Sequence, residues 1–451
     1  MKSFDVVIVG GGPAGVSAAI SAHNTYPCKT LALIRKEAIA LIPCGIPYTQ
    51  HTLPDILSNT LPDGLVTEKA GAELIIDEVV GRDGNILKLG SGEEIAYSKL
   101  VLATGSHPSL PPIKGIEKEG VFLIQKDVKY LEKLRQKMLD SSNIVIIGGG
   151  YIGVELVDEF LKHKKNVSIV EVEKRLLPAT MDPEFGSKLE GILKENGANI
   201  VLGRYVKSIS GKSQVDGVVL DDGTVLLADL VVTCVGCKPN IKLAETFELK
   251  HDPKYGIKVD DYLRSSEKDI FVVGDAAAKH DFFTGELTDI RLASTAMAEG
   301  RLVGSNLFEI KVIRKYRGVL GSFSTKIGNT AFGISGLTEM KAKEMNLEYT
   351  VGEAITVDRH PGRVPGASQL HLKLIFARYS HVLLGAEMHG GDSVGELVNM
   401  LSVMILNKMT DMDIDTMQIG THPLLTASPI AYPVISATVD AIGKWYQADV
   451  A

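Results

Sequence analysis

"DVVIVGGGPAG", residues 5–15, is the stretch on which the fold turns. Its unbroken apolar run, Val6 to Val9, suits a strand covered on both faces, as in a parallel sheet. Gly10, Gly12 and Gly15 follow at G-x-G-x-x-G spacing, and with Pro13 and Ala14 they open a helical pattern. Gly10 makes the tight turn, Gly12 lets backbone amides approach a pyrophosphate, and Gly15 lets helix and strand pack closely. The helix N-terminus supplies partial positive charge for the phosphates.

The same design returns in "NIVIIGGGYIG", residues 143–153, with Gly148, Gly150 and Gly153 and with Tyr151 and Ile152 at the helix start. A second strand candidate follows each copy, "KTLALI" from Lys29 and "NVSIV" from Asn166. Two strand–helix–strand units predict two mononucleotide-binding folds in one α/β chain. Glu171 ends the second strand of the later unit, where a carboxylate accepts hydrogen bonds from ribose hydroxyls and repels a 2′-phosphate. That favours NAD(H), while Arg175 nearby leaves some tolerance for NADP(H). The earlier unit has Arg35 at this place, followed by Lys36 and Glu37.

A chain of 451 residues exceeds one hydrophobic core, so about two to four domains are expected. Its formal charge of −7 and the absence of a dense basic run argue against nucleic acid or an anionic membrane as partner. The N-terminus runs straight into a strand and does not read as a signal peptide. No apolar run reaches the ~18 residues that a membrane span needs. Four cysteines are too few for a disulfide scaffold, which points to the cytoplasm. Cysteines and histidines show no zinc-ligand spacing, so no metal is expected.

Three further strands run into Gly/Pro or Gly-Asp turns: "YSKLVLATGSHP" through Ala103, Thr104 and Gly105, "ADLVVTCVGCKPN" through Gly236, and "DIFVVGDAA" through Gly274 and Asp275. From about Gly321 the pattern changes to β-rich segments such as "LHLKLIFAR" and a Met-rich helix, "VGELVNMLSVMILNKM". This last third reads as an α+β domain, its Met-rich helix core or subunit interface.

The ordered set "VVIVGGGPAG", "LVLATGSHP", "VIIGGGYIGVE", "VGCKPN" and "IFVVGDAA" resembles the pyridine nucleotide–disulfide oxidoreductases over residues 5 to 320. The resemblance implies a discontinuous FAD-binding domain (1–110 and 245–320), an NAD-binding domain (111–244) and a C-terminal dimerisation domain (321–451) in a homodimer. It implies that Asp275 bonds the flavin ribityl chain, and that the helix opening at Ala293, Ser294 and Thr295 points at the flavin pyrimidine. It also makes Tyr151 the aromatic gate over the flavin, with Glu155 on the same helix, the alternative being a tyrosine packed at a helix start.

In "KEAIALIPCGIPYTQ", residues 36–50, Cys44 stands alone where two-cysteine reductases carry a pair. This resembles the single-cysteine branch: coenzyme A-disulfide reductases, NADH oxidases and peroxidases, and NADH-dependent sulfur or polysulfide reductases. Pro43 precedes the thiol, and Pro47 is pre-shaped for a first helical turn whose amides and dipole would lower the thiol pKa. Cys44 then passes electrons to a sulfur acceptor, with coenzyme A as a candidate substrate or ligand; the rival fate is a buried structural cysteine. Cys234 and Cys237 form C-x-x-C, but at a strand end, so Cys234 reads as core filler. "GTHPLLTASPIAYP" keeps the His422-Pro423 pair of the two-cysteine reductases, but Ala427 replaces the acid that orients the histidine. Proton donation then falls to His422 or to Tyr432, with a loop-packing role for His422 as the alternative. The expected activity is an FAD enzyme that oxidises NADH and reduces a small disulfide, persulfide or polysulfide. An NADH oxidase or peroxidase acting on oxygen or peroxide is the alternative. A module delivering electrons to a redox protein is the reading from another class, and Cys44 counts against it.

Overall fold

The apolar runs become strands for the reason their composition suggests. Val6 to Val9 are at most 7% exposed, and Leu31 to Ile34 and Leu100 to Leu102 are buried as completely, the state of a parallel sheet covered on both faces. A computed structural model describes residues 1–448, and the chain forms two compact units.

The first unit comprises Met1–Pro112, Gly120–Ser141 and Val232–Val319. In its main sheet, strands Glu73–Ile76, Leu31–Arg35, Lys2–Val9 and Glu94–Leu102 lie side by side and parallel. Ile270–Val272 joins Glu94–Leu102 in parallel, and Ile86–Leu89 and Val79–Asp83 extend the sheet in antiparallel. Two helices, Pro13–Thr25 and Ala293–Asn306, pack along each other. Gly300 and Gly304 permit this, since a Cβ at either would stand 2.4 or 2.5 Å from the carbonyl oxygens of Ala14 and Ala18. The Ser17 and Ser21 hydroxyls seal the seam by donating to the Met297 and Arg301 carbonyls, each at 2.9 Å.

The second unit comprises Ile113–Glu119, Ser142–Val231 and the chain from Leu320. Its parallel strands run in the order Asn199–Leu202, Asn166–Glu171, Asn143–Ile147, with the helix Tyr151–Leu161 following the last. The final third is an antiparallel sheet, Ser322–Ile327, Thr330–Gly336, Leu383–Gly390, Gln369–Ala377, Tyr349–Val357. Helix Val394–Leu406, the Met-rich segment, lies against Thr330–Gly336 and buries Val394, Val398, Leu401, Met404 and Ile405. The helix starting at Pro433 lies against Tyr349–Val357.

A buried charge cluster sits within this unit. The Lys373 ammonium, on the strand Gln369–Ala377, is 1% exposed and meets Asp182 at 2.7 Å, together with Glu184, Glu339 and Glu387. Burial, with the Asp182 carboxylate beside it, pushes the Glu387 carboxyl up to about 10, so it is protonated at neutral pH. Among the described residues no helix is long and apolar enough to cross a membrane.

Candidate active site

The first glycine turn is dense everywhere except at its centre. A Cβ on Gly10 would stand 2.1 Å from the Ala103 oxygen, and one on Gly15 would stand 2.0 Å from the Gly10 oxygen. Gly10 also has φ +120, a conformation that side chains rarely adopt. Gly12, the residue before the helix, faces open space: nothing lies within 4 Å of where its Cβ would be. The second turn repeats this, with Gly148 at φ +106 and open space beside Gly150. Each helix start thus borders an open cradle with no acidic residue in its first turn. That arrangement fits a bound pyrophosphate.

Around the first cradle the fold gathers segments far apart in sequence. Gly274, at φ +72, is wedged between Ala14 and Ala296, which a Cβ would approach to 2.9 and 3.5 Å. The next residue, Asp275, accepts the Ser106 hydroxyl at 2.7 Å. Thr104 donates its hydroxyl to the Asn240 carbonyl at 2.9 Å, the Asn240 amide returns to Gly105 at 2.9 Å, and the Ser109 amide reaches Gly236. Ala293, Ser294 and Thr295 form the first turn of their helix, again without an acid. Ser106 and Asn240 lie inside the quoted segments "LVLATGSHP" and "VGCKPN", but their side chains are not among the expected site residues.

Arg35 is buried, 4% exposed. Its aliphatic stem packs on Gly11, and its guanidinium is held by the carbonyls of Glu37 and Ala38, each at 2.9 Å, and by Asp63 at 2.7 Å. A buried guanidinium demands such partners. Lys36 beside it is exposed, with its ammonium 4.0 Å from Glu37.

Glu171 is 8% exposed, and both of its oxygens already accept backbone amides, Gly149 at 2.5 Å and Glu173 at 2.9 Å. The carboxylate ties the glycine turn to the end of its strand. On the helix that follows, Ile152 is exposed and Gly153 buried, and Glu155 accepts the Thr325 hydroxyl at 2.8 Å. The Tyr151 ring stacks on Phe323, and burial holds its hydroxyl far above the usual phenol range.

At Cys44 one expectation fails. No α-helix starts at Pro47: the chain makes two short 3₁₀ turns, Pro43–Gly45 and Pro47–Gln50. Pro47 lacks an N–H and its ring would clash with the Pro43 carbonyl, which stops a helix begun at Pro43, and Pro54 disfavours helical backbone at Leu53, which leaves little room for one begun at Pro47. The α-helix dipole expected beside Cys44 is therefore absent. Cys44 is exposed, unlike a buried filler. Asn59 props the turn from below, exchanging hydrogen bonds with the Ile42 backbone at 2.9 Å. Gly45 leaves room for it, since a Cβ there would collide with the Asn59 side chain.

The other thiols and the C-terminal residues separate clearly. Cys234 is half-buried, burial pushes its thiol up to about 12, and no disulfide joins it to the exposed Cys237. His422 is exposed, and its Nδ1 accepts the Leu424 amide at 3.3 Å. Ala427 is buried. Tyr432 is buried as well, its hydroxyl on the Met400 sulfur at 3.9 Å, and burial raises its pKa.

Residues 4–300 match the family profile described as pyridine nucleotide-disulphide oxidoreductase, and residues 323–430 match the dimerisation domain of the same enzymes. The chain belongs to that family. It is thus a pyridine nucleotide-dependent flavoprotein oxidoreductase, built to hold FAD and NAD(P)H. It is 29% identical to an NADH oxidase of Methanocaldococcus jannaschii, over 97% of this chain and 98% of that one. It is 32% identical to a NAD(P)H coenzyme A polysulfide/persulfide reductase of Pyrococcus horikoshii, over 86% and 87%. A solved NAD-dependent persulfide reductase from A. fulgidus superposes with a TM-score of 0.89 at 27% identity, covering 98% of this chain and 84% of that one.

Proposed function

We propose that this oxidoreductase takes electrons from NADH and delivers them through Cys44 to a low-molecular-weight sulfur acceptor: a disulfide such as that of coenzyme A, a persulfide or a polysulfide. The observation that carries the reading is the exposed Cys44, held on a rigid proline-flanked turn as the lone cysteine of residues 36–50. Bound FAD supplies the means of accepting hydride from NADH and releasing two electrons. We assign its pyrophosphate to Gly10, Gly12, Pro13, Ala14 and Gly15, and its hydroxyl-bearing chain to Asp275.

Cys44 acts as a thiolate that attacks one sulfur of the acceptor and expels the other, which takes up a proton as a thiol. Two electrons then cleave the new disulfide, releasing the second thiol and restoring the Cys44 thiolate. We assign delivery of that proton to His422 acting as an imidazolium, which then regains a proton from solvent, a role supported by its exposure. Tyr432, buried on a sulfur atom, is the less suited donor. In the second cradle Glu171 and Glu173 place two carboxylates at the strand end, so NADH is preferred to NADPH. The match to the dimerisation domain supports a homodimer, and the sparse cysteines support a cytoplasmic enzyme.

The M. jannaschii relative supports a second reading, in which Cys44 cycles through sulfenic acid with peroxide or the enzyme reduces oxygen. A turnover screen of the purified protein with NADH decides between them, using coenzyme A disulfide, polysulfide, peroxide and oxygen in parallel. Turnover with a sulfur acceptor at least about tenfold above that with oxygen and peroxide supports the proposal, and the opposite ranking rejects it.

A further inference from the structure

One buried ion pair grips both sides of Gly274. The Gly274 amide donates to Glu299 Oε2 at 2.8 Å, and Lys279 Nζ donates to the Gly274 carbonyl at 2.8 Å. The same ammonium meets both Glu299 oxygens at 2.7 Å. The Lys279 side chain is 2% exposed and that of Glu299 7%. Stability alone does not favour such a pair, because two desolvated charges are costly and apolar residues of similar volume often serve as well. What apolar residues cannot do is hold the N–H and the C=O of one residue at once. That residue is in the left-handed conformation, wedged against Ala14 and Ala296, and directly precedes Asp275. The Asp275 carboxylate is in turn oriented from its other side by the Ser106 hydroxyl.

We infer that Lys279 and Glu299 are positioning residues for Asp275, holding its turn in the geometry in which the carboxylate meets the hydroxyl-bearing chain of FAD. The inference rests on the assignment of Asp275 made above. It makes retention of FAD depend on a charge pair that acts through the Gly274 backbone.

The test follows release of FAD from the purified holoenzyme, by the rise of free-flavin fluorescence, with the melting temperature measured in parallel. Asp275→Asn, Lys279→Met, Glu299→Gln, Lys279→Arg and the double variant Asp275→Asn/Lys279→Met are compared. Lys279→Met and Glu299→Gln are expected to speed FAD release at least about fivefold, and Lys279→Arg to keep it within about twofold of the parent. The double variant releases FAD no faster than Asp275→Asn alone, because both changes act on one contact. If Asp275→Asn speeds release but neither Glu299→Gln nor Lys279→Met does, the positioning role is overturned while the Asp275 assignment stands. Losses that add in the double variant overturn it as well. If Asp275→Asn leaves release unchanged, the assignment of Asp275 itself falls. Should Lys279→Met not fold, Glu299→Gln, which keeps the size of the side chain, decides by the same criteria.

Discussion

The Tyr151 ring lies 5.1 Å from that of Phe323, with the two planes only 12° apart. This stack fixes the residue that opens the helix of the second glycine turn, and it leaves the Tyr151 hydroxyl buried and hard to ionise. We propose that Tyr151 serves flavin reduction through its ring and not its hydroxyl. Tyr151→Phe is expected to reduce bound flavin with NADH within about twofold of the parent rate. Phe323→Leu, which removes a stack worth about 1 kcal/mol, shifts that rate toward the value for Tyr151→Ala. Stopped-flow bleaching of the flavin measures all three, and a large loss in Tyr151→Phe would show that the hydroxyl matters after all.

Glu171 holds the Gly149 and Glu173 amides, so its loss affects both the shape of the turn and the sign of the local charge. In Glu171→Ala, kcat/KM for NADH falls about tenfold or more, while the NADPH-to-NADH ratio rises. Steady-state kinetics with both nucleotides check this. An unchanged ratio would mean that the carboxylate serves only the turn.

Glu387 carries its proton when folded and loses it near pH 4.5 when unfolded, because its folded pKa is raised to about 10. Between those values the native state binds more protons, so this group's contribution to stability falls as pH rises. Glu387→Gln, neutral at every pH, should melt progressively higher than the parent as pH is raised from about 6 to 9. Melting curves across that range show it, and parallel pH profiles for the two proteins would contradict it.

Thiol reactivity should separate the cysteines. Cys44 is exposed, while burial holds the Cys234 thiol far from ionisation at neutral pH. Brief alkylation of the native protein at pH 7, read by peptide mass spectrometry, labels Cys44 and spares Cys234. Cys234→Ser therefore leaves turnover within about twofold. Prompt labelling of Cys234 would reopen the C-x-x-C as a redox pair.

The strands and glycine turns are legible in the sequence because their cause is local: continuous apolar runs, and turns in which Gly10 and Gly148 take positive φ. The turn at Cys44 is not, since Pro47 stops a helix begun at Pro43 and Pro54 cuts short one begun at Pro47. The partners of Arg35 and Asp275 are hidden because Asp63 and Ser106 lie distant from them in sequence, and nothing in the pattern pairs them. Glu299 does leave a trace. On its helix Ala296, Glu299, Gly300, Val303 and Gly304 are buried at helical spacing, so a carboxylate stands on the apolar stripe. A charge there requires a buried partner, and Lys279 supplies it.

The proposed sulfur chemistry of this enzyme hangs on electrons leaving through Cys44. Turnover by Cys44→Ser with NADH and a small disulfide or polysulfide, set beside anaerobic bleaching of its flavin by NADH, puts that route to trial. Bleaching is expected to persist at close to the parent rate while turnover of the sulfur acceptor disappears. Undiminished acceptor turnover in Cys44→Ser would mean that the electrons take another path.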